Sequence, residues 1–278
     1  MINVLLCGNI GVYDGMMTCA LSIFKRTKTK EPIFFHILTA SLTHIKKEYE
    51  AISEKDADYL DRVAKEYNPK NRVKLTDVTN LYTAEFSGCP NEGAYCSPYT
   101  LLRLLADLIP DMPDKLLYLD TDVLFNKDIE LLYGFDVEDY EYAAAKDHYG
   151  RLFISPGYIN AGVLLLNMKE IRKSGLFSRA RGLIRKRRLT FADQSAIIRC
   201  TQRRALLPQR FNDQRLLRRD TVIRHFSRRL YYLPYPHTGN IKPWQVSLVH
   251  KVLGYYCFDD ILYEYIYHIE TKRRMGHE

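Results

Sequence analysis

The chain opens with a nearly continuous apolar run, Ile2-Asn3-Val4-Leu5-Leu6-Cys7, closed by Gly8. A short run of this kind predicts a strand buried on both faces of a parallel sheet. Residues 14–27 then place Met17, Ala20, Leu21 and Phe24 at helical spacing. Residues 32–39 (PIFFHILT) predict a second strand. Residues 53–66 predict an amphipathic helix, with Ser53 as its N-cap and Asp56 three positions later. Residues 72–78 alternate like a third strand. Strand and helix alternating from the first residue predict an α/β fold, a mostly parallel central sheet flanked by helices.

Further along, residues 98–109 (PYTLLRLLADLI) predict a helix with proline in its first turn. Residues 115–119 (KLLYL) predict a strand that runs straight into Asp120-Thr121-Asp122. Residues 141–146 and 162–167 are further strand candidates, 169–187 and 193–204 helices, and 220–226 a late strand. Two short tyrosine-rich helices are expected within 245–270. There are no repeats and no linker, so the organisation predicted is one domain over 1–244 with a helical appendage over 245–278.

Composition narrows the class. Of 278 residues 46% are hydrophobic and 27% charged, which excludes a mostly disordered chain. Lysine and arginine total 41 against 33 acidic residues, a net charge of +8, which points to an anionic partner. No zinc-finger spacing, RNP pattern or basic zipper accompanies that charge, and no nucleic acid is expected as partner. Basic residues gather in 179–188, 199–219 and 224–229. With 21 tyrosines, the late basic region suits peripheral contact with an anionic membrane. The six cysteines form no C-x-x-C. Cys89 and Cys96 are read as thiols, and a reduced cytoplasmic protein is expected, peripheral at most on the inner membrane face. No apolar run approaches the ~18–20 residues of a membrane span.

The strongest chemical signal is Tyr118-Leu119-Asp120-Thr121-Asp122-Val123. Ligands of open α/β sheets sit beyond the carboxyl ends of the strands. Two carboxylates there repel unless a cation lies between them, and a hard divalent ion, Mn²⁺ or Mg²⁺, suits oxygen ligands.

With its D-x-D the chain resembles glycosyltransferase family 8. Three further segments carry the likeness in the family's order: Tyr158-Ile159-Asn160-Ala161-Gly162-Val163, Asp193-Gln194, and Gly239-Asn240-Ile241-Lys242-Pro243-Trp244. The resemblance implies a GT-A nucleotide-diphospho-sugar transferase fold. It also implies a retaining enzyme that moves glucose or galactose from a UDP-sugar to a glycan or lipid-linked glycan acceptor in bacterial cell-surface polysaccharide synthesis. The alternative is a sugar-nucleotide-binding protein without turnover.

By the same resemblance Asp120 and Asp122 hold the metal, with Thr121 beside the donor. Two histidines compete for the third ligand position. His225 follows an apolar strand and carries the family's H-F text, whereas His237 lies just before Gly239, displaced by one position; extra residues separate the two. Gly239 and Lys242 meet the donor diphosphate. Arg103 faces the donor or forms an ion pair with Asp120 or Asp147. Cys7, Gly8 and Asn9 stand where the family reads uracil and ribose, and Tyr13 is a candidate to stack on the base. Asn160, Ala161 and Gly162 line the donor sugar. Asp147, Asp193 and Gln194 are the catalytic candidates. Both double displacement and a front-face route remain open at this level.

Overall fold

The computed structural model describes every residue except 94–96, 232–234, 236 and 277–278. Cys96 and part of the stretch between His225 and Gly239 therefore lie outside the described residues.

The amino-terminal half contains β1 (Ile2–Cys7), α1 (Tyr13–Arg26), β2 (Ile33–Thr39), α2 (Glu54–Tyr67), β3 (Arg72–Asp77) and α3 (Thr79–Phe86). A 3-10 segment, Pro98–Leu108, leads to β4 (Lys115–Leu119), β5 (Val123–Phe125) and α4 (Glu130–Tyr133). Next come β6 (Tyr142–Lys146), α5 (Gly150–Phe153), β7 (Ile159–Asn167), α6 (Met168–Ser174), α7 (Leu176–Lys186) and α8 (Ala192–Cys200). The chain ends with β8 (Arg204–Leu207), β9 (Ile223–His225), β10 (Arg229–Tyr231), β11 (His237–Gly239), α9 (Val246–Leu248) and α10 (Asp259–Arg274).

Seven strands form the main sheet in the order β3-β2-β1-β4-β7-β6-β8. Only β7 pairs antiparallel with its neighbours, so the sheet is mostly parallel, as the sequence predicted. Alternation along β1 sends Val4 and Leu6 into a core shared with α1, and Leu5 and Cys7 into a second core under Pro98–Leu108. The order runs outward from β1 to β3 and then returns to β4 on the other side of β1. That reversal leaves a crevice beyond the carboxyl ends of β1 and β4.

Ser53 caps α2, and Asp56 returns the bond to the Ser53 backbone, the predicted capping box. Three element predictions need correction. Residues 98–108 are 3-10 rather than α, with backbone i→i−3 bonds at both ends: Thr100 N–H donates to the Ser97 carbonyl at 3.1 Å and Ile109 N–H to the Ala106 carbonyl at 3.4 Å. The helix expected over 169–187 breaks at Gly175, whose φ of +69° is left-handed. The helix expected to reach 204 stops at Cys200, and β8 follows.

The carboxyl-terminal segment is not an appendage. Phe258, Ile261, Leu262 and Tyr265 are buried in the same core as Val4 and Met16. Arg26 pairs with Asp260 at 2.7 Å, and Lys272 reaches Asp56, tying α10 to α1 and α2.

Candidate active site

The crevice brings two sequence signals together. Leu6 of β1 pairs with Leu119 of β4, so Cys7-Gly8-Asn9 and Asp120-Thr121-Asp122 emerge side by side. A small antiparallel sheet completes the site. Val123 of β5 is in register with His225 of β9, and Phe226 N–H donates to the Asp122 carbonyl at 2.8 Å. His225 Nε2 thereby lies 3.1 Å from Asp122 Oδ1 and 3.8 Å from Asp120 Oδ2. One ligand atom from each of Asp120, Asp122 and His225 falls within 4.8 Å of the others. His237 is elsewhere: it is exposed on β11, stacked on Tyr231 with ring centroids 5.3 Å apart. Of the two competing histidines, the fold brings His225 to the carboxylates.

Gly162 of β7 makes that convergence possible. Its carbonyl accepts from Asp120 N–H at 2.8 Å. A Cβ at this position would stand 2.3 Å from His225 Cε1 and 2.7 Å from Asp120 Oδ2, far inside van der Waals contact. Gly15 of α1 plays a similar part beneath the turn. A Cβ there would meet the Thr121 carbonyl at 2.5 Å and the Trp244 ring at 2.6 Å.

The two aspartates have different surroundings. Asp120 Oδ1 accepts from the Tyr118 hydroxyl at 2.6 Å and from Arg103 Nη2 at 3.1 Å. Arg103 is buried, its guanidinium 3.9 Å from the Tyr118 ring centroid, and its Nε lies 3.3 Å from Asp193 Oδ2. Its Nη1 donates to the Ala161 carbonyl. The ion pair with Asp120 is therefore observed, and the donors of Arg103 are committed to protein rather than turned outward. Asp122 instead meets Lys242, with Nζ 2.5 Å from Oδ2. Burial alone would raise the Asp122 carboxyl, but Lys242 and His225 outweigh it and hold its pKa far below the ordinary value. Asp193 is shifted the other way: burial raises it, and Arg103 only partly opposes that.

These donors fit a divalent ion. Two carboxylates and an imidazole nitrogen are the mixed oxygen and nitrogen set that Mn²⁺ accepts. The two carboxylates already draw a cation each, Arg103 to Asp120 and the Lys242 ammonium to Asp122.

The sugar-side residues form a connected wall. Asn160 Nδ2 donates to Asp147 Oδ2 at 2.8 Å, and Asn160 Oδ1 accepts from Gly162 N–H at 3.0 Å. Asp147 Oδ1 accepts from the backbone of Tyr149 and Gly150 at 3.0 and 2.6 Å. Gln194 Oε1 accepts from Ala161 N–H at 2.9 Å. Asn9 is buried, with Nδ2 3.4 Å from the Glu48 carbonyl. Cys7 is buried too, and burial pushes its thiol pKa far up.

Tyr13 needs correction as a base-stacking candidate. Its ring is buried, its hydroxyl donates to the Asp56 carbonyl at 2.8 Å, and Lys272 Nζ lies 3.8 Å from its centroid. The helical phase of α1 turns it into the core under α10. Conversely, sequence reasoning passed over Asn212, fully buried, whose Oδ1 lies 2.9 Å from His225 Nδ1. It also passed over Tyr118 as a partner of Asp120, although its place two residues before the carboxylate was a usable signal.

A mostly parallel sheet with paired carboxylates at its switch point defines a GT-A glycosyltransferase fold. Solved structures agree. The galactosyltransferase LgtC, in complex with donor and acceptor sugar analogs, superposes with a TM-score of 0.65 at 19% identity, covering 95% of this chain and 96% of that one. The glycosyltransferase GlyE of Streptococcus pneumoniae gives 0.62 at 18% identity, covering 95% and 63%. The chain belongs to glycosyl transferase family 8, which matches it over residues 3–247. Among curated relatives, glycosyltransferase GlyA of Streptococcus pneumoniae is 37% identical over 76 residues, 27% of this chain and 11% of that protein. Probable galacturonosyltransferase-like 4 of Arabidopsis thaliana is 26% identical over 179 residues, 57% of this chain and 47% of that protein. The matched stretches thus span less than half the length of these two relatives. No helix among the described residues is long and apolar enough to cross a membrane.

Proposed function

We propose that the protein transfers a hexose, glucose or galactose, from a UDP-sugar to a glycan or lipid-linked glycan hydroxyl with retention of anomeric configuration. The observation that carries this reading is the convergence of Asp120, Asp122 and His225 within 4.8 Å, beside Lys242. Asp120, Asp122 and His225 would hold Mn²⁺ or Mg²⁺. When bound, that ion supplies Lewis-acid stabilisation of the negative charge that grows on a departing diphosphate. Lys242 adds a movable ammonium at the same place, and the role of Arg103 is to fix Asp120 from behind.

The surroundings of the acids support a front-face route. A double displacement needs a free carboxylate against the anomeric carbon. Both oxygens of Asp147 are engaged, Asp193 is paired to Arg103, and Gln194 is an amide. In the route proposed, the bond from the anomeric carbon to the diphosphate oxygen breaks and the bond to the acceptor oxygen forms on the same face. The acceptor proton passes to the departing phosphate.

An acceptor with a lipid portion is supported by α5 and the residue that follows it, just after Asp147. Leu152, Phe153 and Ile154 are 64%, 74% and 50% exposed there, with Arg151 and Arg215 near His148. Co-sedimentation with anionic and zwitterionic vesicles at low salt tests this, and equal recovery with both would remove the anionic-surface part.

The decisive experiment measures UDP release from UDP-glucose, UDP-galactose and UDP-N-acetylglucosamine with Mn²⁺, Mg²⁺ or chelator. Slow metal-dependent release from one hexose donor, lost in Asp122→Ala, is the expected result. Tight donor binding without release, even with acceptor glycans present, would favour a non-catalytic sugar-nucleotide binder.

A further inference from the structure

A chain of buried side-chain amides runs from the sugar side of the site to the metal side. Its first amide, Asn160, has two neighbours of fixed hydrogen-bonding character: the Asp147 carboxylate accepts, and the Gly162 N–H only donates. Asn160 lies between them with Nδ2 2.8 Å from Asp147 Oδ2 and Oδ1 3.0 Å from Gly162 N. Reversing this amide would set oxygen against oxygen and NH₂ against N–H, so its orientation is determined by its neighbours.

The next link follows from that. Asn160 Oδ1 is an acceptor, so the Asn212 atom 2.9 Å from it must be the donating Nδ2. The other Asn212 atom, Oδ1, is then an acceptor, and it faces His225 Nδ1 at 2.9 Å. His225 Nδ1 must carry hydrogen. Asn212 is fully buried, and its own carbonyl accepts from Gln209 Nε2 at 2.7 Å, so the residue is held at backbone and side chain. His225 N–H in turn donates to the Asp213 carbonyl at 3.0 Å, which fixes the ring's base next to the same turn.

We infer that Asn212 is a positioning residue that holds the Nδ1–H tautomer of His225 and so leaves Nε2 open as a ligand toward Asp120 and Asp122. In the neutral ring, Nε2 is a bare acceptor 3.1 Å from a carboxylate oxygen, an arrangement that a cation between them would satisfy. The relay Asp147–Asn160–Asn212–His225 also couples the wall proposed to line the sugar to the metal side through neutral groups.

The inference rests on the metal-dependent reading above, and one measurement is independent of metal. Nitrogen NMR of ¹⁵N-histidine-labelled full-length protein, free of metal and at a pH where the ring is neutral, reads the tautomer directly, with His225→Gln to assign the signal. A protonated Nδ1 and bare Nε2 are expected; the opposite tautomer would overturn the inference even if the enzyme proved active. The second measurement titrates Mn²⁺ alone, followed by its EPR signal. Asn212→Leu, which cannot accept from Nδ1–H, should weaken Mn²⁺ binding roughly 10- to 100-fold. Asn212→Asp, which still accepts from Nδ1–H but loses the donor to Asn160 Oδ1, should bind Mn²⁺ more tightly than Asn212→Leu at equal loss of thermal stability. A merely structural role predicts that both variants lose Mn²⁺ in proportion to their loss of thermal stability, and that pattern would refute the assignment. If wild type binds no Mn²⁺, the metal-dependent reading falls, while the NMR result still decides the tautomer.

Discussion

Two buried aspartates each meet a lysine, and only one of them lies in the proposed metal site. Asp56, under α10, is paired with Lys272 and also accepts from Ser53. Asp122, at the end of β4, is paired with Lys242 but also faces the His225 nitrogen and lies near Asp120. Both carboxyls are shifted down for the same reason: burial raises each, and the partners outweigh it. The lysine pair therefore does not distinguish them. What does is the third neighbour. Around the Asp56 carboxylate the further hydrogen-bond partner is Ser53, whose backbone N–H and hydroxyl both donate to Oδ2. Around Asp122 further ligand atoms converge, from Asp120 and His225, and the three acids Asp120, Asp122 and Asp193 face only two cations, Lys242 and Arg103.

The comparison breaks first, and most visibly, at Asp122. Asp122→Asn should lower metal-dependent UDP release on the order of 10²- to 10³-fold. Its melting temperature should change little, because Lys242, at 23% side-chain exposure, regains water when unpaired. A collapse of stability without a specific loss of turnover would make Asp122 a second Asp56. The reciprocal change is Lys272→Met. It strands a buried carboxylate and removes a cation from the Tyr13 ring, at a cost of about 3 kcal/mol read by urea denaturation. Turnover per folded molecule should be unchanged, since the contacts of Lys272 are with Asp56 and the Tyr13 ring and none is with Asp120, Asp122 or His225.

Gly162→Ala sharpens the comparison without touching any charge. The new methyl would displace the His225 ring or Asp120, and a shift of ~1 Å in a site of this kind costs about 100-fold in rate. Mn²⁺ affinity should fall in parallel. Wild-type Mn²⁺ binding in this variant would mean that His225 is not a ligand.

These differences were unequally legible in the sequence. Asp120 and Asp122 could be read because an apolar strand runs straight into them, and β4 is that strand. His225 could be ranked above His237 because it ends an apolar run, and β9 pairs it with the strand after Asp122. The capping box of α2 was legible as Ser53 and Asp56 three apart. Tyr13 was not, because its proximity in sequence to Asn9 says nothing of the helical phase that turns it away. Asn212 was invisible for a stronger reason. Its partners lie 52 and 13 positions away, and it sits in a turn without periodicity. The place of α10 was missed likewise, since its exposed tyrosines mask the buried row Ile261, Leu262 and Tyr265.

The smallest effect tests the Asp56 half of the comparison through pH. The Asp56 carboxyl is depressed in the folded state, its burial outweighed by Lys272 and Ser53. A depressed carboxyl contributes stability above its unfolded value, about 3.9, and that contribution disappears as pH falls through the folded value. Lys272→Met removes the main stabilising charge and leaves burial, so the folded value rises. The variant then tolerates a protonated Asp56 that wild type gains nothing from. The stability gap between the two proteins should accordingly be widest near neutrality and narrow on acidification, by about 1.4 kcal/mol for each pH unit between the variant's folded-state value and the measuring pH, while wild-type Asp56 stays ionised. Urea midpoints at neutral pH and near pH 3.5 measure it. A gap that stays constant would mean that Lys272 stabilises α10 through its methylenes and the Tyr13 ring alone, and the likeness between the two lysine–aspartate pairs would be one of geometry rather than charge.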